Sequence, residues 1–134
     1  MEISDILKSY RRIAVVGLSR DETKYSSMVS RFMQQVGYKI IPINPVADVL
    51  LGEKAYKTLD AVDVEFDVVD VFRPSEEALD ITRKAVEKGA KVVWLQEGIT
   101  SEEARVYAEA RGVGFVQNKC MMKEYARIYG GGVE

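Results

Sequence analysis

Short, continuous apolar runs recur along this sequence, and a segment long enough for a helix separates most of them. The runs cover residues 13–16, 38–43, 67–72, 91–95 and 113–116. Apolar runs without polar alternation are typical of strands buried on both faces, as in a parallel sheet. Parallel strands require long crossover connections, which are usually helices. The pattern therefore predicts an α/β fold with a doubly wound, mostly parallel sheet of five strands in three α/β/α layers.

Apolar residues at helical spacing fill most of the intervening segments. They predict helices over residues 2–10, 28–36, 75–88, 101–111 and 120–129. Ser75 and Ser101 each precede two glutamates. Both serines are therefore expected to be N-caps, with the acids at the positive end of the helix dipole. The connection 46–66 lacks this periodicity and is expected to form short turns or a short helix over the sheet edge.

The size and composition of the chain are those of one packed domain. It has 134 residues, of which 47% are hydrophobic and 30% charged. We expect a single domain over residues 1–134, with a flexible tail at 130–134. The first residues mix charges, and nowhere do about 18 apolar residues follow one another, so neither a signal peptide nor a membrane span is expected. The resulting prediction is a cytoplasmic protein.

Three counts restrict the chemistry that the chain can perform. The absence of histidine excludes a Ser-His-Asp triad and removes the commonest metal ligand. The single cysteine, Cys120, can form neither an internal disulfide nor a Cys-rich metal site, so no metal is expected. The 19 basic and 21 acidic residues give a net charge of −2, which argues against a nucleic-acid partner. No residue is assigned a catalytic role.

The loop after the first apolar run is the first candidate for ligand binding, because doubly wound sheets bind ligands beyond the carboxyl ends of their strands. Gly17 allows close backbone approach, and Lys24 carries a positive charge. The hydroxyls of Ser19 and Ser26 offer donors to an anion. The loop does not match the G-x-G-x-x-G or P-loop patterns. A phosphate-binding loop and an ordinary loop with Ser26 or Ser27 as N-cap are equally supported.

Polar and aromatic residues also follow the other runs. Dinucleotide-binding sheets hold a ribose with an acid where this chain has Asn44 and Pro45, so Asn44 either contacts an adenosine or forms a simple turn. Arg73 is suited to a phosphate and Phe72 to an adenine or an apolar ligand arm, although such residues are more often solvated and core, respectively. Gln96 is expected to place its amide at the opening of the crevice.

Six sequence segments, taken together, form a recognisable pattern. They are I-A-V-V-G-L-S at 13–19, G-Y-K-I-I-P-I-N-P at 37–45, L-G-E-K-A-Y at 51–56, V-D-V-F-R at 69–73, K-V-V-W-L-Q-E-G at 91–98 and N-K-C at 118–120. In this order and spacing they resemble the CoA-binding domain family, the small stand-alone relatives of the CoA-binding domain in the succinyl-CoA synthetase alpha subunit. The resemblance covers almost the whole chain.

This resemblance implies a Rossmann-like domain that binds coenzyme A without an assigned reaction, since the synthetases use a phosphorylated histidine that this chain lacks. The implied cofactor-binding residues are Gly17, Ser19, Lys24 and Ser26 for the phosphates, Ile43, Asn44 and Pro45 for the adenosine end, Phe72, Arg73, Gln96 and Gly98 along the pantetheine arm, and Leu18 and Tyr25 in the first loop. Such a protein would store or sense CoA, or deliver it to a protein partner.

Other interpretations stay open at this point. The chain could instead be an NAD(P)-binding or adenine-nucleotide-binding module, an enzyme acting on acyl-CoA, or a structural interaction module. It could be a monomer or a homodimer, although Tyr10, Tyr125 and Tyr129 are expected to pack on the parent sheet. Cys120 is expected to be buried and inert, and a mixed disulfide with CoA is the alternative.

Overall fold

Five parallel strands form the central sheet of the structure, a computed structural model that describes residues 1–130. In chain order, the strands of this part of the chain are β1 (Arg12–Val16), β2 (Lys39–Ile43), β3 (Val49–Leu50), β4 (Glu53–Lys54), β5 (Val68–Val71), β6 (Val92–Leu95) and β7 (Gly114–Val116). The central sheet has the order β2-β1-β5-β6-β7, and each neighbouring pair is parallel. The predicted five-stranded, doubly wound sheet is confirmed. Residues 131–134 of the predicted tail lie outside the described residues.

Five α-helices accompany the sheet in residues 1–130. They are α1 (Ile3–Ser9), α2 (Tyr25–Gln35), α3 (Ala78–Glu87), α4 (Glu102–Ala110) and α5 (Met121–Tyr129). Each lies where helical periodicity predicts one. No helix in this part of the chain is both long and apolar enough to span a membrane.

Two helices begin at residues that differ from the prediction. The N-cap of α2 is Lys24, so Ser26 and Ser27 lie buried in the first turn, and neither is the predicted cap. Ser75 opens a 3-10 turn ahead of α3, and its hydroxyl accepts a hydrogen bond from the backbone N–H of Thr100. In both cases a tertiary contact uses the hydroxyl that could have capped the helix. Ser101 does cap α4, because its hydroxyl accepts from the N–H of Ala104 at 3.1 Å.

The helices bury both faces of the sheet. One apolar core lies beneath α1, α2 and α5 and includes the completely buried Trp94. The other lies beneath α3, α4 and part of the long connection, and includes Val71 and Leu95. Alternate residues of β5 and β6 contribute to the two cores. This explains why these strands read as continuous apolar runs rather than alternating ones.

The connection between β2 and β5 consists of the β3–β4 hairpin and a 3-10 turn over Leu59–Ala61. Tyr56 continues beside the end of β2, where it forms a parallel bridge with Ile43. Its N–H donates to the carbonyl of Pro42 at 2.9 Å. The prediction of short turns over the sheet edge is confirmed. This packing covers the carboxyl end of the β2 edge strand, and it forms one wall of the site described next.

The direction of the connections reverses between β1 and β5. From β1 the chain crosses to β2 on one side, whereas the connections that follow β5 lead to β6 and β7 on the other. The loops that leave neighbouring strands at such a reversal diverge onto opposite faces and leave a crevice at the carboxyl ends. Here the crevice lies between the loops that begin at Gly17 and Phe72.

Candidate functional site

Gly17 brings the two loops of the crevice into direct contact. Its φ of +91° is unfavourable for residues with a side chain, and a Cβ atom here would lie 2.8 Å from the carbonyl oxygen of Phe72. The same Cβ would lie 3.0 Å from Cδ of Arg73, so the arginine side chain passes against the glycine. Both conditions require glycine. Gly17 therefore allows a close approach, as predicted, and the group that approaches its backbone in this structure is the loop after β5.

Hydrogen bonds within the loop after β1 use the hydroxyls that the sequence suggested for phosphate binding. Ser26 Oγ accepts from the N–H of Ser19 at 3.0 Å, and Ser19 Oγ accepts from the N–H of Asp21 at 3.0 Å. The Asp21 carboxylate in turn accepts from the N–H and hydroxyl of Thr23, which lowers the pKa of Asp21. In this structure the two serines shape the loop.

The N-terminus of α2 faces no capping side chain among the described residues. Its N-cap, Lys24, has an extended backbone and an exposed side chain. The first N–H groups of a helix lack intrahelical partners and carry the positive end of the helix dipole. Together with Lys24 they form a positively polarised end of the crevice. Anion binding at this end of the crevice stays a prediction, and the Ser26 hydroxyl already accepts a hydrogen bond from the N–H of Ser19.

A cavity of about 380 Å³ opens beside Gly17 at the ends of β1 and β2. Its lining combines apolar walls with several charged side chains. The lining residues are Val16, Gly17, Ile43, Pro45, Lys57, Thr58, Leu59, Arg73, Glu77, Asp80, Ile81 and Lys84. Four of them, Gly17, Ile43, Pro45 and Arg73, belong to the predicted site, so the structure brings residues from three separate strand ends together. A cavity with this lining can hold a flat apolar group beside an anionic one.

The charged residues on two walls of this cavity are not among the residues predicted from the sequence. Glu77, Asp80 and Lys84 follow Arg73 at helical spacing, and this spacing could have placed them on one side of the same turn and helix. Lys57 lies in the connection 46–66, where no periodic pattern gave a signal. Its position depends on the path of that connection over the end of β2.

Each cation in the cavity lining is paired with an acid. Arg73 donates from Nε and Nη2 to the two carboxylate oxygens of Glu77, at 3.0 and 2.8 Å. This pairing lowers the pKa of Glu77 and raises that of Arg73. Lys84 lies 3.5 Å from Asp80. Lys57 lies 3.0 Å from Asp48, and it also donates to two backbone carbonyls.

Asn44 stabilises the loops around the cavity. Its Nδ2 donates to the carbonyl of Leu18 at 2.9 Å, and its Oδ1 accepts from the N–H groups of Val46 and Ala47 at 2.8 Å. The bond to Leu18 joins the loop after β2 to the loop after β1, and the other two fix the turn after β2. Leu18 itself is buried in the apolar core. The turn interpretation of Asn44 thus describes its side chain in this structure, and a ligand contact stays a prediction.

On the other side of the crevice, Tyr25 packs edge-on against Phe72, with ring centroids 6.3 Å apart. The Tyr25 hydroxyl donates to Glu97 at 3.4 Å, and Lys123 donates to the same carboxylate oxygen at 2.9 Å. Burial, followed by the neighbouring Cys120 thiol, raises the pKa of Tyr25. These side chains form a half-exposed aromatic wall that α2, β5 and α5 hold in place.

Gln96 lies beneath this wall, and the prediction that its amide would be at the crevice opening is wrong. The residue is 1% exposed. Its Nε2 donates to Asp70 at 2.5 Å, and its Oε1 accepts from the N–H of Met121 at 3.3 Å. Burial raises the pKa of Asp70 to about 7, against the opposing effect of the Gln96 hydrogen bond. The Gln96 N–H still donates to the Val71 carbonyl at 3.2 Å, so the residue stays beside β5. Its side chain joins β5, β6 and α5 from within the core.

Cys120 and Gly98 lie in the loops that follow β7 and β6. Cys120 is 3% exposed, which confirms that it is buried. Gly98 has a φ of +88°, and its N–H donates to Oδ1 of Asn118 at 2.7 Å, which ties the two loops together. No cluster of three potential metal ligands occurs within residues 1–130.

Comparisons with known proteins agree with this geometry. The sequence profile of the family described as "CoA binding domain" matches residues 11–126. The uncharacterized protein YneT of Bacillus subtilis (strain 168) is 41% identical over 125 residues, which make up 93% of each chain.

Solved structures share the fold over most of this chain. A hypothetical protein from Pyrococcus horikoshii OT3 superimposes with a TM-score of 0.91 at 34% identity, covering 96% of this chain and 90% of that one. The dinucleotide-forming acetyl-coenzyme A synthetase 1 of Ca. Korarchaeum cryptofilum gives a TM-score of 0.72 at 30% identity, covering 85% of this chain but only 27% of the synthetase. The family match spans the sheet and both sides of its crevice, and the chain therefore belongs to the CoA-binding domain family.

Proposed function

We propose that this chain binds coenzyme A in the crevice between the ends of β1 and β5, and that it does so without catalysing a reaction. The observation that carries the proposal is the cavity of about 380 Å³ beside Gly17 and Arg73, at the point where the sheet connections reverse. In a chain of this family, a cavity there has the lining expected for a nucleotide end.

The adenosine end occupies the cavity. Ile43, Leu59 and Ile81 offer apolar walls to the adenine, and burying such a ring removes apolar area from water. Pro45 is exposed beside them and borders the opening. Lys84 lies on the same lining and supplies a charge within the pocket for an anionic group on the ribose. Asn44 supports this arrangement through its backbone contacts.

The diphosphate lies across Gly17, between the cavity and the N-terminus of α2. Helix N-termini and the glycine-containing loops that lead into them commonly bind phosphate groups, because unpaired backbone N–H groups point outward there. Lys24 and Arg73 flank this path from opposite sides, one at the start of α2 and the other after β5. Their charges compensate the phosphates without a metal ion.

The pantetheine arm leaves along the aromatic wall formed by Tyr25 and Phe72. An apolar chain with amide groups suits a half-exposed aromatic surface that carries a hydroxyl at its edge. Gln96 and Asp70 contribute from below by fixing β5 against β6, so their role here is support. Gly98 borders this side through the loop after β6.

The extent of the match supports the proposal of binding without catalysis. The synthetase of similar fold is a longer protein, and this chain corresponds to 27% of its length. Its reaction is therefore not transferred to this chain. The absence of histidine removes the most common general base near neutral pH. A role in holding CoA, or presenting it to a partner, is the function that the site supports best.

Calorimetric titration with CoA, dephospho-CoA, NAD and ATP tests the proposal, after denaturing extraction has shown that the purified protein carries no ligand. We expect stoichiometric binding of CoA and weaker binding of NAD. Tighter binding of NAD or ATP than of CoA would instead support a nucleotide-binding module. Release of free thiol from acetyl-CoA would contradict the non-catalytic part of the proposal.

Two charge deletions test the placement of the phosphates. Lys24→Ala and Arg73→Ala are each expected to weaken CoA binding, with a melting temperature close to the parent's because both side chains are exposed. A phosphate contact of this kind contributes about 1.5–3 kcal/mol, or roughly 10- to 150-fold in affinity. Lys8→Ala, on α1 and away from the crevice, is the matched control. Parent-like binding by both variants would place the phosphates elsewhere.

A further inference from the structure

Arg73 is held in one position by two neighbours. Its side chain packs directly against Gly17, because a Cβ atom added to the glycine would lie only 3.0 Å from Cδ of Arg73. Its guanidinium then meets Glu77 one helical turn along the chain. The charged group therefore lies between the loop after β1 and the start of α3, on the lining of the cavity.

Glu77 occupies one of the two edges of the guanidinium through which a phosphate can bind. Nε and Nη2 of Arg73 donate to separate oxygens of the carboxylate, at 3.0 and 2.8 Å. This paired arrangement is the one by which arginine recognises both carboxylates and phosphates. One face of the fork cannot serve both partners at the same time. A phosphate that takes this face must displace the Glu77 carboxylate.

The geometry points to Glu77 as an intramolecular competitor that lowers the affinity of this site for a diphosphate. We propose that the Glu77 carboxylate exchanges with the diphosphate of CoA at Arg73 when the ligand binds. This inference takes its ligand, CoA, from the proposed function. It adds that Glu77 makes the site select ligands whose phosphate can replace its carboxylate at Arg73. A ligand without phosphate offers Arg73 no such replacement and leaves the pair intact.

The magnitude of the effect follows from the exposure of the pair. The Arg73 and Glu77 side chains are 47% and 45% exposed, so water screens their attraction. Exposed ion pairs of this kind contribute little, and removing the competitor is expected to tighten binding by about two- to fivefold. Glu77→Gln removes the charge and keeps the shape of the side chain. Because the residue is half-exposed, the variant is expected to fold like the parent, which a thermal melt checks.

The neighbouring Glu76 provides a matched control. It precedes Glu77 in the same 3-10 turn, is exposed, and forms no ion pair within the described part of the chain. Glu76→Gln changes the net charge by the same amount, so it reports the general field effect on an anionic ligand. The double variant Arg73→Ala/Glu77→Gln, compared with Arg73→Ala, shows whether the effect passes through Arg73.

The experiment is calorimetric titration of these variants with CoA, dephospho-CoA, inorganic pyrophosphate and adenosine. Glu77→Gln is expected to bind the three diphosphate-containing ligands about two- to fivefold more tightly and adenosine with unchanged affinity. Glu76→Gln is expected to match the parent, and Glu77→Gln to add nothing in the Arg73→Ala background. Weaker binding by Glu77→Gln, an equal gain in Glu76→Gln, or a gain that persists without Arg73 would overturn the inference. A gain restricted to CoA would also overturn it, because the diphosphate would then not be the competing group.

These measurements separate the inference from the proposed function. If the parent binds CoA and Glu77→Gln gives no gain, the competitor role is refuted and CoA binding stands. If the parent does not bind CoA but Glu77→Gln binds pyrophosphate more tightly through Arg73, the competitor role stands and the proposed ligand is wrong. If the parent binds none of the probes and Glu77→Gln gains no pyrophosphate binding, both proposals are refuted.

Discussion

The buried carboxyl of Asp70 makes stability depend on pH in a direction opposite to that of an ordinary ion-paired acid. Asp70 is 2% exposed at the centre of the sheet, and its hydrogen bond with the Gln96 amide only partly compensates the loss of water. Burial raises its pKa from 3.8 to about 7. The folded protein therefore holds this proton more tightly than the unfolded chain does.

The sign of the effect follows from proton linkage. The free energy of unfolding falls with rising pH wherever the folded state binds more protons than the unfolded state. For Asp70 this window runs from about pH 4 to about pH 7. Its contribution is complete below that window, is lost as the pH rises through it, and changes no further above pH 7. A pKa difference of about three corresponds to roughly 4 kcal/mol over the whole window.

The variant Asp70→Asn isolates this contribution. Asparagine has nearly the same shape and keeps an oxygen that can accept from Nε2 of Gln96, but it carries no proton to release. We expect Asp70→Asn to match the parent near pH 4 and to exceed it at pH 8 by up to about 4 kcal/mol in free energy of unfolding. This gain in the free energy of unfolding is an upper value, because the N–H groups of the new amide also need hydrogen-bond acceptors in the buried site.

Urea denaturation at half-unit steps from pH 4 to pH 8 measures the difference. The only tryptophan, Trp94, is paired in register with Asp70 and reports unfolding by fluorescence, with circular dichroism as a second signal. Asp67→Asn is a control of opposite sign. Its parent carboxylate is held by Arg12, which lowers the pKa of Asp67 from 3.8, so this variant is expected to be less stable than the parent by a nearly constant amount from pH 4 to pH 8. Identical pH profiles for the parent and Asp70→Asn would refute the reasoning.

Three further predictions concern single residues. Gly17→Ala places a Cβ 2.8 Å from the Phe72 carbonyl at a φ of +91°, so it is expected to lower stability by about 1–3 kcal/mol and to weaken CoA binding, measured by denaturation and calorimetry. Ser101→Ala removes the cap on the Ala104 N–H and is expected to cost about 1 kcal/mol in urea denaturation, whereas no loss would show that water replaces the cap. Incubation with CoA disulfide is expected to leave Cys120 unmodified by intact mass, because the thiol is buried, and an adduct that Cys120→Ser abolishes would establish the alternative mixed disulfide.

The fold was predictable because its main determinants are local. Buried parallel strands need continuous apolar runs, and the crossover helices need apolar residues at helical spacing, so both patterns appear directly in the sequence. Helix starts were less predictable. A serine hydroxyl that accepts a hydrogen bond from elsewhere is less available to cap a helix. The hydroxyls of Ser75 and Ser26 accept from the N–H groups of Thr100 and Ser19. Those donors are 25 and 7 residues away, where spacing within a helix carries no information.

The candidate site was predictable at the strand ends and not between them. Gly17, Ile43 and Arg73 each follow or end a recognisable strand, and a parallel sheet necessarily brings such positions to one edge. Lys57 reaches the cavity from an irregular connection, and Lys84 reaches it from the third turn of α3. Their placement depends on how α3 and that connection pack against the sheet, and no local pattern in the sequence records this packing.

Two polar side chains in the segments that resemble the family act mainly on the shape of the site. Asn44 joins two loops through backbone groups, and Gln96 joins β5, β6 and α5 from within the core. A polar side chain beside a strand end finds backbone donors and acceptors already within reach, and these bonds form before any ligand arrives. A match at such positions therefore indicates a crevice of the same form. The preference for one ligand over another must then depend on side chains that line the cavity but do not hold its loops in place. Glu77 and Lys84 are two such side chains. Exchanging these charges should change ligand preference while leaving the melting temperature almost unchanged.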